Sequence, residues 1–190
     1  EMAAHRTHRA QHLSRHLPPA DYQQLFGVDA HLARLHTLLG DYAAVPFVSI
    51  EGMGGIGKTV LARKAARQAA ALDTWQDILW VSARQEKLTT RGALDPVAQP
   101  ARTPADVMNR LAEQLGQTHL AGLAPADKAA GLRPLLSTHP YLIIIDNLET
   151  LADVDDLLPL LHPLAGQSRF VLTSRHTVAH FPYVQILTVP

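Results

Sequence analysis

Residues 51–60 read E-G-M-G-G-I-G-K-T-V, directly after the apolar run V-P-F-V-S-I at 45–50. Gly52, Met53, Gly54, Gly55, Ile56, Gly57, Lys58 and Thr59 fit the spacing G-x-x-x-x-G-K-[ST], between an expected strand and an expected helix. The glycines let successive backbone N–H groups turn inward on a phosphate. The N-terminus of the following helix adds positive potential there. Lys58 reaches the β- and γ-phosphates as a point charge, and the Thr59 hydroxyl ligates Mg²⁺. Val60 follows in the first helical turn.

Working outward, K-T-V-L-A-R-K-A-A-R-Q-A-A-A-L continues the loop as an alanine-rich helix. Before it, Val28, Leu32, Leu35, Leu38 and Leu39 recur at helical spacing. After it, D-I-L-W-V-S-A at 77–83 is a strand, and 85–104, with three prolines and little periodicity, is expected to be an exposed loop. Val107, Leu111 and Leu115 mark a helix ending near Gly116. A second helix is expected over 126–137, shortened or kinked by Pro134. Y-L-I-I-I-D at 141–146 and R-F-V-L-T-S at 169–174 are buried strands flanking a Leu-rich helix near 153–161, and V-Q-I-L-T-V-P at 184–190 is a further strand. Strands apolar on both faces, alternating with helices, predict a parallel sheet covered on both sides, an α/β sandwich of three layers.

Composition bounds the rest. At 190 residues the chain accommodates one ordinary domain, and its formal charge of zero argues against a strongly electrostatic nucleic-acid binder. The absence of cysteine excludes disulfides, thiolate chemistry and cysteine-ligated zinc, which fits a reducing compartment. No apolar run approaches the roughly 20 residues needed to span a bilayer. Starting on Glu1 and ending in a strand, the sequence reads as a segment of a longer chain. Residues 1–20 are expected to be a polar linker or N-terminal arm, and 21–190 the nucleotide-binding domain.

Asp146 closes a buried strand at the edge where open α/β sheets bind ligands, so with the glycine loop it is the candidate second Mg²⁺ ligand. Arg175, ending T-S-R at 173–175, is placed to contact a γ-phosphate. The bland readings are a turn aspartate and a solvated surface arginine. His5, His8, His12 and His16 share one helical face, but a solvated helix or linker is favoured over a metal site. Trp75 and Trp80 read as packing residues, Arg84 and Lys87 as solvated ones, and His139 and His162 need no special role.

Taken together, G-M-G-G-I-G-K-T, L-W-V-S-A, I-I-I-D-N-L-E and R-F-V-L-T-S-R, in that order, resemble the NB-ARC-like nucleotide-binding module of the STAND signalling ATPases. L-P-P-A-D-Y-Q-Q-L-F-G-V-D-A-H-L-A-R-L resembles that family's leader, so the likeness covers about 17–190. The resemblance implies a P-loop NTPase fold with a mainly parallel five-stranded sheet of ASCE-type order, with the Walker B and sensor strands beside the P-loop strand. It implies an ATP/ADP and Mg²⁺ site in which Phe26, Gly27 and Val28 line the adenine pocket and Gly52–Thr59 hold phosphates. Asp146 would hold the magnesium and Arg175 the γ-phosphate.

Three departures stand out. Val28-Asp29 replaces the usual Arg-Glu of the leader. Asn147 follows Asp146 where an acidic residue commonly positions the attacking water, so hydrolysis of ATP to ADP is expected to be slow unless Glu149 substitutes. The sequence is expected to stop before the helical and winged-helix domains that the resemblance implies. The expectation is a cytoplasmic ATP/ADP switch that self-associates in the ATP state and is covalently linked to effector and sensor domains, without nucleic acid or membrane. The runner-up is a continuously cycling AAA+-type motor. A P-loop kinase lacks an evident lid, a GTPase lacks Asn-Lys-x-Asp, and a non-hydrolysing binding module stays open.

Overall fold

The structure, a computed structural model, describes residues 9–19, 27–41, 45–54, 57–83, 86–88, 94–96 and 100–190. Five strands form one parallel sheet: β1 (Phe47–Glu51), β2 (Asp77–Ser82), β5 (Tyr141–Asp146), β6 (Arg169–Ser174) and β7 (Val184–Thr188). Their spatial order is β2-β5-β6-β1-β7. A separate antiparallel pair, β3 (Glu86–Leu88) and β4 (Leu94–Pro96), lies in the stretch expected to be a plain loop.

Period-2 alternation divides the apolar strand residues between two cores. Val48, Ile50, Ile78, Trp80, Leu142, Ile144 and Val171 face the layer of α1 (Asp29–Gly40) and α2 (Lys58–Ala70). Phe47, Leu79, Val81, Ile143, Ile145, Phe170 and Leu172 face α3 (Pro104–Gln114), α4 (Pro125–Thr138) and α5 (Val154–Leu161). The alanines of α2 at 62, 65, 66, 69 and 70 are all buried, so this helix lies close on the sheet.

One expectation about order is corrected. β6, expected as the sensor strand, does lie beside β1, but β5, expected as the Walker B strand, lies beyond it, paired to β6 and β2. Asp146 thus reaches the glycine loop from two strands away. Pro134 does not end α4, which continues to Thr138. The lost N–H is offset because Leu132 and Leu136 on either side are fully buried, while the Pro134 carbonyl accepts the Thr138 hydroxyl.

The edge strand β2 is blunted by a side chain. The Gln114 amide accepts from Trp80 N at 3.0 Å and donates to Trp80 O at 2.7 Å, filling the outward backbone positions of that residue. Within residues 1–20, expected to be a polar linker or N-terminal arm, Leu13 (2% exposed) and Leu17 join the α1–α2 core. Arg15 pairs with Asp77, and Arg63 and Arg67 of α2 donate to the Pro19 and Pro18 carbonyls at 2.8 and 2.7 Å. Trp75 and Trp80 pack in that core as expected.

α3 begins on a capping box. Thr103 Oγ1 accepts from Asp106 N, and the Asp106 carboxylate accepts from Thr103 N at 3.0 Å and Arg102 N at 2.9 Å. The Arg102 N–H holds the Asp106 pKa below its ordinary value, with Thr103 acting in the same direction. Asp106→Ala is expected to cost about 1 kcal/mol at neutral pH. A depressed carboxylate pKa stabilises the fold above the unfolded value of about 3.9 and loses that contribution as pH falls through the folded one. Urea unfolding across acidic pH should show the gap between parent and variant closing on acidification.

Candidate functional site

The parallel strands bring three termini to one edge: Glu51 of β1, Asp146 of β5 and Ser174 of β6. The glycine loop turns there from β1 into α2. Gly57, with φ +83°, takes the left-handed position just before the helix, where a side chain is strained. The first-turn N–H groups of α2 have no side-chain cap, which leaves them for an anion.

Lys58 folds back over the loop, and its Nζ donates to Gly52 O at 2.8 Å and Met53 O at 2.7 Å. The residue is only 8% exposed. Burial pushes the Lys58 pKa down and Arg175 adds to this, against the opposing pull of Glu149 and Asp146. The ammonium is therefore held inside the loop by carbonyls that a phosphate can replace. Met53 is exposed and Val60 half-buried; Gly55 and Ile56 lie outside the described residues.

Asp146, almost fully buried, receives two hydroxyls on one oxygen. Thr59 Oγ1 and Thr173 Oγ1 each donate to Oδ1 at 2.7 Å. Thr173 Oγ1 in turn accepts the Asn147 N–H at 2.9 Å. Thr59 and Asp146, from α2 and β5, thus meet as neighbouring hard oxygen donors, a set that fits Mg²⁺. Asn147 sits at φ +63°, a left-handed conformation that asparagine tolerates better than most residues, and its carbonyl accepts from Thr150 N and Oγ1.

Arg175 and Glu149 meet across the same edge. Glu149 Oε1 lies 3.1 Å from Arg175 Nε, and Oε2 accepts the Arg175 N–H at 3.2 Å. The guanidinium rests on the loop at Gly54, where an added Cβ would come within 3.2 Å of Cζ. Of the leader, Gly27 is exposed at φ +75°, and Val28 is buried in the α1–α2 core. Phe26 lies outside the described residues.

Two residues at this edge were not singled out from the sequence. Thr173 bridges Asp146 to the Asn147 backbone; nothing in the sequence marked it, and its role emerges from its place one step beyond the Ile145–Leu172 register pair. Glu51, buried, accepts the Val178 N–H at 2.9 Å and so ties the end of β1 to the segment after Arg175. Its signal was a carboxylate ending an apolar strand. Elsewhere His12 contacts Arg15, while His5, His8 and Arg84, and the side chain of Lys87, lie outside what is described. Among the described residues there is no group of three or more His, Cys, Asp or Glu side chains that could hold a metal ion, at this edge or elsewhere, and no helix is long and apolar enough to cross a membrane.

With this geometry in place, comparisons with known proteins are informative. The NB-ARC domain family profile matches residues 28–186. In Arabidopsis thaliana, the probable disease resistance protein RXW24L is 28% identical over 174 residues, covering 91% of this chain and 18% of that protein. The probable disease resistance protein At1g58390 is 27% identical over 160 residues, covering 84% of this chain and 16% of its own length. The chain therefore spans less than a fifth of these relatives. Among solved structures, AMPPCP-bound DnaA from Aquifex aeolicus aligns with a TM-score of 0.46 at 12% identity, over 88% of this chain and 48% of its own. The FIGL-1 AAA domain in complex with ADP aligns with a TM-score of 0.44 at 17% identity, over 90% and 55%.

Proposed function

Because the chain belongs to the NB-ARC domain family, a P-loop nucleotide-binding module, we propose that it is an ATP/ADP switch within a larger signalling protein. The observation that carries this reading is the meeting of Thr59 and Thr173 on Asp146 Oδ1 beside the Lys58-closed loop. Lys58 and the first turn of α2 would hold the phosphates. Thr59 and Asp146 would hold Mg²⁺, which when bound neutralises charge on the phosphate oxygens. Gly27 and the preceding leader would contact adenine.

Slow turnover suits a switch. The Asn147 amide cannot accept a proton from water, and its left-handed backbone is shaped by hydrogen bonds to Thr173 and Thr150. Moving a two-state equilibrium from 1:99 to 99:1 takes about 5.5 kcal/mol of differential binding. Hydrogen bonds to charged groups contribute roughly 1.5–3 kcal/mol each, so two or three γ-phosphate contacts suffice. The ATP state would self-associate and release linked effector domains, in the cytoplasm, where adenine nucleotides are abundant.

The test is to purify the protein, denature it and identify released nucleotide by ion-exchange chromatography. About one ADP retained per chain is the expected result for a locked switch. An empty protein that turns over added ATP steadily would replace the switch by a cycling motor.

A further inference from the structure

We propose that Glu149 is a positioning residue for Arg175, which it holds by one edge so that the other edge reads the γ-phosphate; this rests on the nucleotide reading above. Glu149 could substitute for the missing acid at Asn147, but its geometry serves a different purpose. Its side chain is 8% exposed, whereas that of Arg175 is 58% exposed. Both carboxylate oxygens are engaged by the same arginine, one by Nε at 3.1 Å and one by the backbone N–H at 3.2 Å. Gripping backbone and side chain together restricts the rotamers of a long, otherwise solvated residue.

On the guanidinium the grip is at Nε alone. Among the described residues, the terminal nitrogens of Arg175 make no hydrogen bond, while Cζ and Nη1 lie over Gly54 of the phosphate loop. A guanidinium presents its donors in a rigid plane, so fixing one edge aims the opposite one. Gly54 makes the approach possible, since a Cβ there would meet Cζ at 3.2 Å and Nε at 3.3 Å. A carboxylate with both oxygens so occupied is a good anchor for an arginine.

Isothermal titration of the purified chain with ADP and with the non-hydrolysable analogue AMPPNP, each with Mg²⁺, tests this. Glu149→Ala should lower the AMPPNP-to-ADP affinity ratio by about ten-fold, the value of one hydrogen bond to a charged group. Glu149→Gln should lower it less, because its amide oxygen still accepts one N–H. In an Arg175→Ala background, Glu149→Ala should change nothing further. An unmoved ratio, a rise in it (Glu149 competing with phosphate for Arg175), or an equal fall with and without Arg175 would each overturn the proposal. If Glu149→Ala does not fold, Glu149→Gln in the two backgrounds carries the same comparison. A parent chain that binds neither nucleotide would overturn the nucleotide reading as well, whereas binding with an unmoved ratio overturns only the role of Glu149.

Discussion

Lys58→Ala is expected to weaken binding of both ADP and ATP by about a hundred-fold or more, with the fold intact. The ammonium is the cation built into the loop itself, donating to two loop carbonyls from a position that is mostly buried. Truncating one partner of a buried, hydrogen-bonded charge pair costs roughly 2–5 kcal/mol, which is about 30- to several-thousand-fold in affinity. Stability should change little, because burial already disfavours the charged form of Lys58 and its removal relieves that cost. Titration with a fluorescent adenine nucleotide, alongside circular dichroism, separates binding from folding. Lys58→Arg should rescue poorly, since a planar guanidinium does not reproduce a compact ammonium on two converging carbonyls. Parent-like affinity in Lys58→Ala would remove the loop from the binding site.

The parts of this edge that were legible in the sequence are those made by local chemistry. Y-L-I-I-I-D and R-F-V-L-T-S fold as β5 and β6 with the expected bounds, because unbroken apolar runs of strand length have no other way to bury both faces. The glycine loop was legible for a similar reason: its glycines serve backbone geometry within a few residues. What depended on distant partners was not. The place of β5 beyond β6 is set by crossovers that no local pattern encodes. The docking of Leu13 and Leu17 depends on carbonyl and carboxylate partners from Trp75 to Asp77 and on two arginines of α2, which are invisible in a stretch that reads as polar. Thr173 looked like one more strand residue until the register placed it against Asp146. Pro134 is the reverse case, a strong local signal outweighed by the packing of Leu132 and Leu136.

Gly166 is another residue whose role comes from a distant segment, and Gly166→Ala is expected to lower the melting temperature by about 6–12 °C. The residue turns the chain into β6 at φ +39°, in the left-handed region. An added Cβ would fall 2.3 Å from the Ser137 carbonyl oxygen and 2.5 Å from its Cα, both backbone atoms of α4 that cannot swing aside. Positive-φ strain and overpacking each cost about 1–3 kcal/mol, so roughly 3 kcal/mol in total is a moderate expectation. The neighbouring contacts make relief harder. Gln167 N donates to that same Ser137 carbonyl at 3.0 Å, and the buried Ser168 hydroxyl joins the Leu136 and His139 carbonyls to Tyr141 N. Moving the turn to free a methyl group would therefore break the junction of α4, β5 and β6. This junction lies at the opposite ends of the strands from Asp146 and Arg175. Below its lowered melting point the variant should keep the parent's ratio of ATP to ADP affinity, which calorimetry and titration on one preparation can show. A melting temperature within about 2 °C of the parent would mean that α4 gives way although its own Leu132 and Leu136 are fully buried in the core.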